Sequence, residues 1–333
     1  MKNWILFVAF LAVLSACDYS GDTNSQVEQQ FETPFDSING FIKQSPGNSD
    51  LYFERAILHY DQKDLASSLS DVGRALSLDS SNADYYILLS NIKLLTKQSR
   101  ESRDALLKAY NYNPTNVDVL IKLGEIYMLV EEYESSFRYL NEALKVDVHN
   151  ATAYRLKGFN YKYGGDTMNA VSSFQTAIEQ DPNDYDSYMQ LGLLFSIPLK
   201  PIAIDYYDNA LKVRPNSMEA LYAKGMHLQQ IGESRKALAI YNQMIGLNAA
   251  FFNAHYNKGY IYLEQLSIFD SAASAFTDAI ANGPKDYFQA VYNRGLASER
   301  MGDPKKAEND YRLALSMNPQ FDPAAQGLSR LGK

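Results

Sequence analysis

A column of small residues recurs along this chain at nearly constant intervals and constrains the fold more than any other feature. Its members are Ala75, Ala109, Ala143, Ala177, Ala210, Ala279 and Ala314. The intervals are 34, 34, 34, 33, 69 and 35 residues, and Met244 occupies the vacant place in the longest one. A constant period of this length indicates an array of repeated structural units, each of which packs against its neighbours.

Two further columns share this period. A glycine column contains Gly124, Gly158, Gly192, Gly225, Gly259 and Gly295, with Ala56 and Ser90 in the two preceding places. A proline column contains Pro46, Pro114, Pro182, Pro215, Pro284 and Pro319. Because the three columns have a common period, the repeats extend over most of the chain.

Within one unit the spacing of the packing residues is helical. In residues 151–184, a first stripe contains Tyr154, Lys157, Gly158 and Tyr161, and a second contains Ala170, Phe174 and Ala177. Intervals of three and four place each stripe on one face of a helix. Residues 164–166 form the turn between the helices, and Pro182 lies just past the second helix, where its missing amide hydrogen stops further winding. Each unit is therefore predicted to be a helical hairpin.

These columns resemble the tetratricopeptide repeat. The resemblance covers eight units, called repeats one to eight below, at residues 49–82, 83–116, 117–150, 151–184, 185–217, 218–251, 252–287 and 288–321. It implies an all-α fold, a right-handed α-solenoid of about eight hairpins. Residues 34–48 and 322–333 are predicted to be capping helices that cover the two ends. In repeat five, Pro198 and Pro201 predict a stiff turn that is shorter by one residue.

The first residues have the pattern of an export signal. Lys2 precedes an uncharged apolar run at residues 4–13, which is too short for a membrane-spanning helix of about 20 residues. The sequence then reads Leu14, Ser15, Ala16 and Cys17, which resembles the lipobox of bacterial lipoproteins. That resemblance implies cleavage before Cys17 and acylation of Cys17. We therefore expect a signal peptide at residues 1–16 and a lipidated flexible tether at residues 17–33.

Two other interpretations of Cys17 exist, an ordinary signal peptide with a leftover cysteine and a buried thiol. Cys17 is the only cysteine in the chain, so no disulfide framework is possible, and an unpaired thiol in an oxidising compartment is a liability. Lipidation explains the isolated cysteine better. The expected location is the bacterial cell membrane or outer membrane, with the chain lipid-anchored and facing outside the cytoplasm.

The rest of the sequence gives little indication of catalysis. The net charge of -8 and the pI near 5.1 argue against nucleic acid as a partner, because phosphate binding requires a basic face. The histidines are too scattered for a metal site, and no phosphate loop, nucleophile elbow or metalloprotease motif occurs. The repeats also leave no room for a catalytic domain. We predict no cofactor, no metal and no enzymatic activity.

The first helices of the repeats line the concave groove in proteins that this chain resembles. The candidate groove residues are Phe53, Arg155, Phe159, Lys162, Tyr222, Met226, Tyr256, Tyr260 and Tyr292. The four tyrosines and Met226 are predicted to form an exposed patch suited to protein recognition. The alternative, that groove side chains pack between neighbouring helices, stays open. Arg155 and Lys162 flank Phe159 and would meet an acidic group.

These features predict a membrane-anchored scaffold or adaptor of the bacterial cell envelope. Its groove would bind an extended or helical segment of a protein partner through aromatic anchors. The alternative function is that of a carbohydrate-binding or peptidoglycan-binding lipoprotein that stacks sugar rings on the tyrosines.

Overall fold

The structure, a computed structural model, describes residues 33–332. Among these residues it contains 18 α-helices, one π-helical turn and no strand, which confirms the predicted all-α fold class. The described chain divides into two compact units, one that ends at Ser80 and one that begins at Ser81. The predicted signal peptide, Cys17 and the tether up to residue 32 lie outside the described residues.

The helices alternate along the chain as the first and second helices of the repeats. The first unit contains α1 (Pro34–Gln44), α2 (Ser49–Asp61) and α3 (Leu65–Leu78). The second unit begins with α4 (Ala83–Leu95), α5 (Ser99–Tyr112), α6 (Val117–Leu129), α7 (Tyr133–Val146), α8 (Ala151–Tyr163), α9 (Thr167–Gln180), α10 (Tyr185–Ser196) and α11 (Ala203–Val213). It continues with α12 (Met218–Gln230), α13 (Ser234–Leu247), α14 (Phe252–Tyr260), α15 (Phe269–Asn282), α16 (Phe288–Arg300), α17 (Pro304–Met317) and α18 (Asp322–Arg330).

The glycine column marks the point where the two helices of a hairpin touch. A Cβ atom on Gly158 would lie 2.7 Å from the ring of Phe174, and one on Gly192 would lie 2.5 Å from the ring of Tyr207. Such distances are well inside van der Waals contact, so a larger residue would force the helices apart. The large side chains on the opposite helix are fully buried, and they include Phe174, Tyr207, Tyr241, Phe276 and Tyr311.

Serine replaces the alanine that opens the second helix in repeats one to three, and each serine is hydrogen-bonded. The Ser68 hydroxyl donates to the carbonyl of Ala56 at 2.8 Å, and the Ser136 hydroxyl donates to the carbonyl of Gly124 at 2.6 Å. In repeat two the hydroxyls of Ser90 and Ser102 lie 2.8 Å apart. These departures from the alanine pattern are therefore satisfied within the hairpin.

The turns between the two helices share one backbone conformation. A residue with positive φ lies in each turn, namely Lys63, Lys97, Glu131, Gly165, Leu199, Gly232, Ser267 and Gly302. In repeat four, the amide of Asp166 donates to the carbonyl of Tyr161 at 2.8 Å. This bond closes the Schellman motif that commonly ends helices. The position of each turn, and hence of each hairpin, is fixed in this way.

Repeat seven, at residues 252–287, is two residues longer than the 34-residue period, and one of the two is absorbed inside its first helix. From Gly259 to Ala272 the count is 13 residues, against 12 from Gly225 to Ala237 in repeat six. The extra residue is accommodated by the π-helical turn Ile261–Gln265, which widens the helix locally and leaves the hairpin contacts in register.

The residue that precedes each first helix changes character along the chain. In repeats one to six it is a polar residue whose side chain accepts a hydrogen bond from a backbone amide of the helix: Asn48, Asn82, Asn116, Asn150, Asp184 and Ser217. Phe251, Tyr287 and Phe321 hold the corresponding places before α14, α16 and α18, with no side-chain cap. Helices α14, α16 and α18 thus have an aromatic residue in place of the polar N-cap that stabilises a helix.

Candidate interaction surface

A pocket of about 850 Å³ opens between the first helices of repeats four to six. We call it the repeat-five pocket. It is lined by Lys162, Leu193, Leu194, Ser196, Ile197, Leu199, Tyr207, Tyr222, Ala223, Met226, His227 and Gln230. The lining is mainly apolar and carries a few polar groups, a composition typical of ligand-binding pockets.

The turn of repeat five shapes one lip of this pocket. The shortened turn leaves Ile197 83% exposed, and Pro198 follows it directly. Leu199 has φ of +55°, a left-handed conformation that is unfavourable for leucine. The amide of Lys200 still donates to the carbonyl of Phe195 at 2.9 Å, so the turn is held in place. An apolar, ordered lip is the result.

Ile197 belongs to a column of residues at the ends of the first helices, which we call the edge column. In repeats two to five the edge column is apolar, with Leu95, Leu129, Tyr163 and Ile197, and these side chains are between 52% and 83% exposed. In repeats one, six, seven and eight it is polar, with Asp61, Gln230, Glu264 and Arg300. Exposed apolar side chains thus recur at one position of four consecutive repeats, and exposed apolar surface is typical of regions that bind other proteins.

His227 is a buried polar residue in the lining of the repeat-five pocket. Its side chain is 1% exposed, and neither ring nitrogen makes a hydrogen bond of ordinary length and angle among the described residues, although the backbone of Lys200 lies near enough to oppose the effect of burial on its pKa. Burial lowers the pKa of His227, because the charged imidazolium loses hydration. A buried polar group without a partner is uncommon, and this one lies at a cavity.

The predicted groove tyrosines pack between successive repeats. The ring of Tyr222 lies 5.9 Å from that of Phe251, and the ring of Tyr256 lies 5.3 Å from that of Tyr287. The Asn293 side chain donates to the Tyr256 hydroxyl at 3.0 Å. Burial raises the pKa of Tyr256.

Tyr292 has the same kind of environment at the end of the array. Its ring lies 5.3 Å from that of Phe321 and 5.5 Å from that of Tyr311. Tyr260 differs, since it is 39% exposed. The contacts favour a packing role for Tyr256 and Tyr292, and their role as partner anchors stays a prediction.

Comparison with known proteins identifies the repeats. Residues 200–249, 222–287 and 288–321 match models of the tetratricopeptide repeat. Residues 200–321 therefore carry tetratricopeptide repeats. It is 23% identical to a TPR repeat-containing protein of Methanocaldococcus jannaschii over 88% of this chain and 62% of that protein. It is also 25% identical to anaphase-promoting complex subunit 3 of Schizosaccharomyces pombe, over 63% of this chain and 31% of that protein. The chain thus spans less than two thirds of the length of these curated relatives.

Solved structures support the fold. The C-terminal part of a TPR repeat-containing protein from Cytophaga hutchinsonii aligns with a TM-score of 0.54 and 13% identity, over 83% of this chain and 99% of that one. The pilF protein of Pseudomonas aeruginosa aligns with a TM-score of 0.52 and 16% identity, over 60% of this chain and 92% of that one. Both similarities place the fold in the α-solenoid class of tetratricopeptide repeat proteins.

The remaining predicted groove residues have different environments. Arg155 donates to the carboxylate of Asp184 at 3.0 Å, so its charge is already paired within the repeats. The Phe159 ring packs on that of Phe174 at 5.2 Å. Lys162 lines the repeat-five pocket, and Phe53 lies half-buried on α2 of the first unit. Of the nine predicted groove residues, the pocket brings together Lys162, Tyr222 and Met226.

The sequence prediction missed the apolar lip and His227. The edge column carries a readable signal, since its residues at 34-residue spacing are apolar in four repeats and polar in the other four. The packing of the tyrosines also had a signal. Polar residues precede the first helices of repeats one to six, and aromatic residues precede those of repeats seven and eight. A comparison of the first-helix column that contains Tyr222 with the column of residues that precede the first helices would have paired Tyr222 with Phe251.

Within residues 33–332 no group of three or more His, Cys, Asp or Glu side chains is placed to hold a metal ion. No helix in the same range is both long and apolar enough to cross a membrane.

Proposed function

We propose that this protein is a lipid-anchored scaffold of the bacterial cell envelope that binds a segment of a protein partner in the repeat-five pocket. The binding is noncatalytic. The acyl group is carried by Cys17, and the repeats present the pocket on a rigid array of helices. Rigid presentation favours affinity because little conformational entropy is lost on binding.

The observation that carries this proposal is that the exposed Ile197 belongs both to the apolar edge column and to the pocket lining. Leu193, on the helix that ends just before Ile197, also lines the pocket and is exposed. Exposed apolar surface that adjoins a pocket with a few polar groups is typical of protein recognition sites.

The comparisons support a binding role. Tetratricopeptide repeats generally mediate protein–protein interaction, and two curated relatives are named as members of multiprotein assemblies, anaphase-promoting complex subunit 3 and BBSome complex member BBS4. Tyr256 and Tyr292 each contact two other aromatic rings, which leaves less of their surface for stacking on a sugar ring. We therefore favour a protein partner over a glycan.

Site-specific photocrosslinking tests the pocket. A photoreactive amino acid at position 197 should form a discrete adduct with a partner in intact cells, because this side chain stands at the lip. The matched control is position 264, which holds the same place of the edge column in repeat seven but is a glutamate. Equal adducts at both positions, or none at 197, would contradict the pocket as the binding site.

The anchor has its own test. Cys17→Ser should abolish labelling by an alkyne fatty-acid probe and leave the precursor unprocessed, since Cys17 is the only cysteine of the chain. A mutant that is still labelled would end the lipoprotein proposal and leave the pocket proposal untouched.

A further inference from the structure

The charge in the repeat-five pocket comes from one residue. Among its lining residues, Lys162 is the only one with a permanent charge, and no aspartate or glutamate is present. The whole chain, in contrast, carries a net charge of -8. A cationic apolar site on an acidic protein favours a ligand that is both apolar and anionic.

Lys162 is not neutralised by a carboxylate of the array. Its Nζ donates to the amide oxygen of Gln190 at 2.6 Å and lies 5.9 Å from the ring of Tyr163. Both contacts orient the side chain, and neither removes its charge. Two nearby cations differ: Arg155, on the same helix as Lys162, is paired with Asp184, and Lys224 on α12 is paired with Asp208.

We propose that the repeat-five pocket takes a peptide segment whose bulky apolar side chain enters the pocket and whose adjacent carboxylate pairs with Lys162. This assignment rests on the proposed function and names the chemistry of its partner. The apolar side chain packs among Leu193, Tyr222 and Met226. The carboxylate accepts a charge-assisted hydrogen bond, which is stronger than one between neutral groups.

His227 supplies a second, independent indication of a ligand. It lines the same pocket and is almost fully buried, and neither ring nitrogen makes a hydrogen bond of ordinary length and angle. Its one polar neighbour, the backbone of Lys200, leaves at least one ring nitrogen without a partner among the described residues. One nitrogen of a neutral imidazole donates and the other accepts. The backbone amides, carbonyls and carboxylate of a peptide segment provide both kinds of partner.

Other occupants fit less well. A second copy of this chain brings another net charge of -8, which opposes association. A fatty acid combines an apolar chain with a carboxylate, but this pocket has an open lip at Ile197 and polar lining groups, among them His227 and Gln230. A peptide backbone satisfies such groups, whereas an acyl chain leaves them unpaired.

Synthetic peptides test the assignment on the full chain. The acidic probe is an eight-residue peptide with leucine and phenylalanine followed by two aspartates, between glycine and serine ends. The neutral probe carries asparagines in place of the aspartates, and a third probe carries two alanines in place of the apolar pair. Fluorescence anisotropy should show the acidic probe binding about tenfold more tightly than the neutral one, as expected for one charge-assisted contact.

Variants of Lys162 locate the effect. Lys162→Gln should reduce the preference for the acidic probe to about one, and Lys162→Arg should restore most of it, because the charge is kept. Lys224→Gln is the matched control, since it removes a paired cation from the same region and should leave the preference unchanged. The ring signals of His227 in nitrogen-detected NMR should move on binding, whereas those of the exposed His149 should not.

The outcomes separate the two proposals. Equal affinity for the acidic and neutral probes would overturn the carboxylate assignment and leave an apolar peptide pocket in place. Equal affinity for the alanine probe, or no binding of any probe at millimolar concentration, would overturn the pocket itself. Displacement of the acidic probe by decanoate at lower concentration than by unlabelled peptide would replace the peptide with a fatty acid.

Discussion

Repeats two to five and repeats six to eight use equivalent positions of the hairpin in opposite ways. In repeats six to eight, the first-helix residues Tyr222, Tyr256 and Tyr292 each contact an aromatic ring that precedes the next first helix or the last helix of the array. The edge column of these repeats is polar. In repeats two to five, polar side chains cap the first helices and the edge column is apolar and exposed.

This difference shows that aromatic content does not by itself mark a binding surface. A ring on the first helix is less accessible where the following repeat offers a ring that packs against it, as for Tyr256 and Tyr292. In repeat four this position holds a charged residue and no ring. Arg155 occupies the place of Tyr222 and pairs with Asp184, the polar residue that precedes α10. The exposed apolar surface lies instead at the ends of the first helices.

The largest effect is expected from truncating a packed tyrosine in repeat seven. Tyr256→Ala should lower the free energy of unfolding by about 3 kcal/mol, the lower end of the range for large aromatic side chains, because the ring is partly accessible. Tyr260→Ala, four residues away and exposed, should change it by less than about 0.5 kcal/mol. Circular dichroism during chemical denaturation measures both.

The same two variants test the groove hypothesis. If Tyr256→Ala abolishes partner capture at a temperature where it is still fully folded, the tyrosines of repeats six to eight are anchors and the contrast between the two regions fails. Retained capture by folded Tyr256→Ala protein would place binding elsewhere.

A somewhat smaller loss is expected from filling the space inside a hairpin, and it should be alike in both regions. Gly158→Leu in repeat four and Gly259→Leu in repeat seven each bring a side chain against a buried phenylalanine, which should cost about 2 kcal/mol. Gly246→Ala is the control, because a Cβ there meets no atom within 4 Å and alanine stabilises a helix by up to about 1 kcal/mol. Unequal losses at positions 158 and 259 would show that the hairpins themselves differ.

Most of the fold could be predicted from the sequence because the packing contacts repeat. A glycine such as Gly158 and its partner Phe174 recur at fixed spacing, and helical periodicity follows from the same residues. The π-helical turn could not be predicted, since a one-residue insertion in repeat seven is compatible with a longer turn as well as a wider helix.

The candidate site could be predicted only in part. Lys162, Tyr222 and Met226 were assigned to the groove from their places in the first helices, and they do line the pocket. The lip was missed because it depends on the backbone of the turn, where Leu199 has positive φ. His227 was set aside as a scattered histidine, and its burial depends on side chains from neighbouring repeats, which the sequence of one repeat does not show.

An intermediate, pH-dependent effect is expected at His227. Because burial lowers the pKa of His227, the unfolded state binds more protons than the folded state below the ordinary histidine pKa of about 6.5. Its contribution to stability is therefore complete above that pH and is lost as the pH falls, by at most about 1.4 kcal/mol per pH unit. Melting curves of the wild type and of His227→Phe between pH 7.5 and 5.5 should converge or cross as the pH falls. The control is His149→Gln, a change at an exposed histidine, whose melting temperature should depend on pH as that of the wild type does. If the melting temperatures of His227→Phe and the wild type fell in parallel with pH, His227 would not change its protonation on unfolding.

The smallest effect concerns two turns with the same strained backbone, one in each region. Ser267 in repeat seven and Leu199 in repeat five both have φ of +55°, so glycine relieves strain at either position. Ser267→Gly should raise the free energy of unfolding by about 0.5 to 1 kcal/mol. Leu199→Gly should leave it nearly unchanged, because the relief is offset by the loss of the apolar side chain from the pocket wall. It should nevertheless weaken binding of the acidic probe peptide, since the lip loses both a contact and its stiffness. Equal stabilisation by the two glycines, together with unchanged peptide affinity, would show that Leu199 serves only the turn and that the pocket does not depend on its lip.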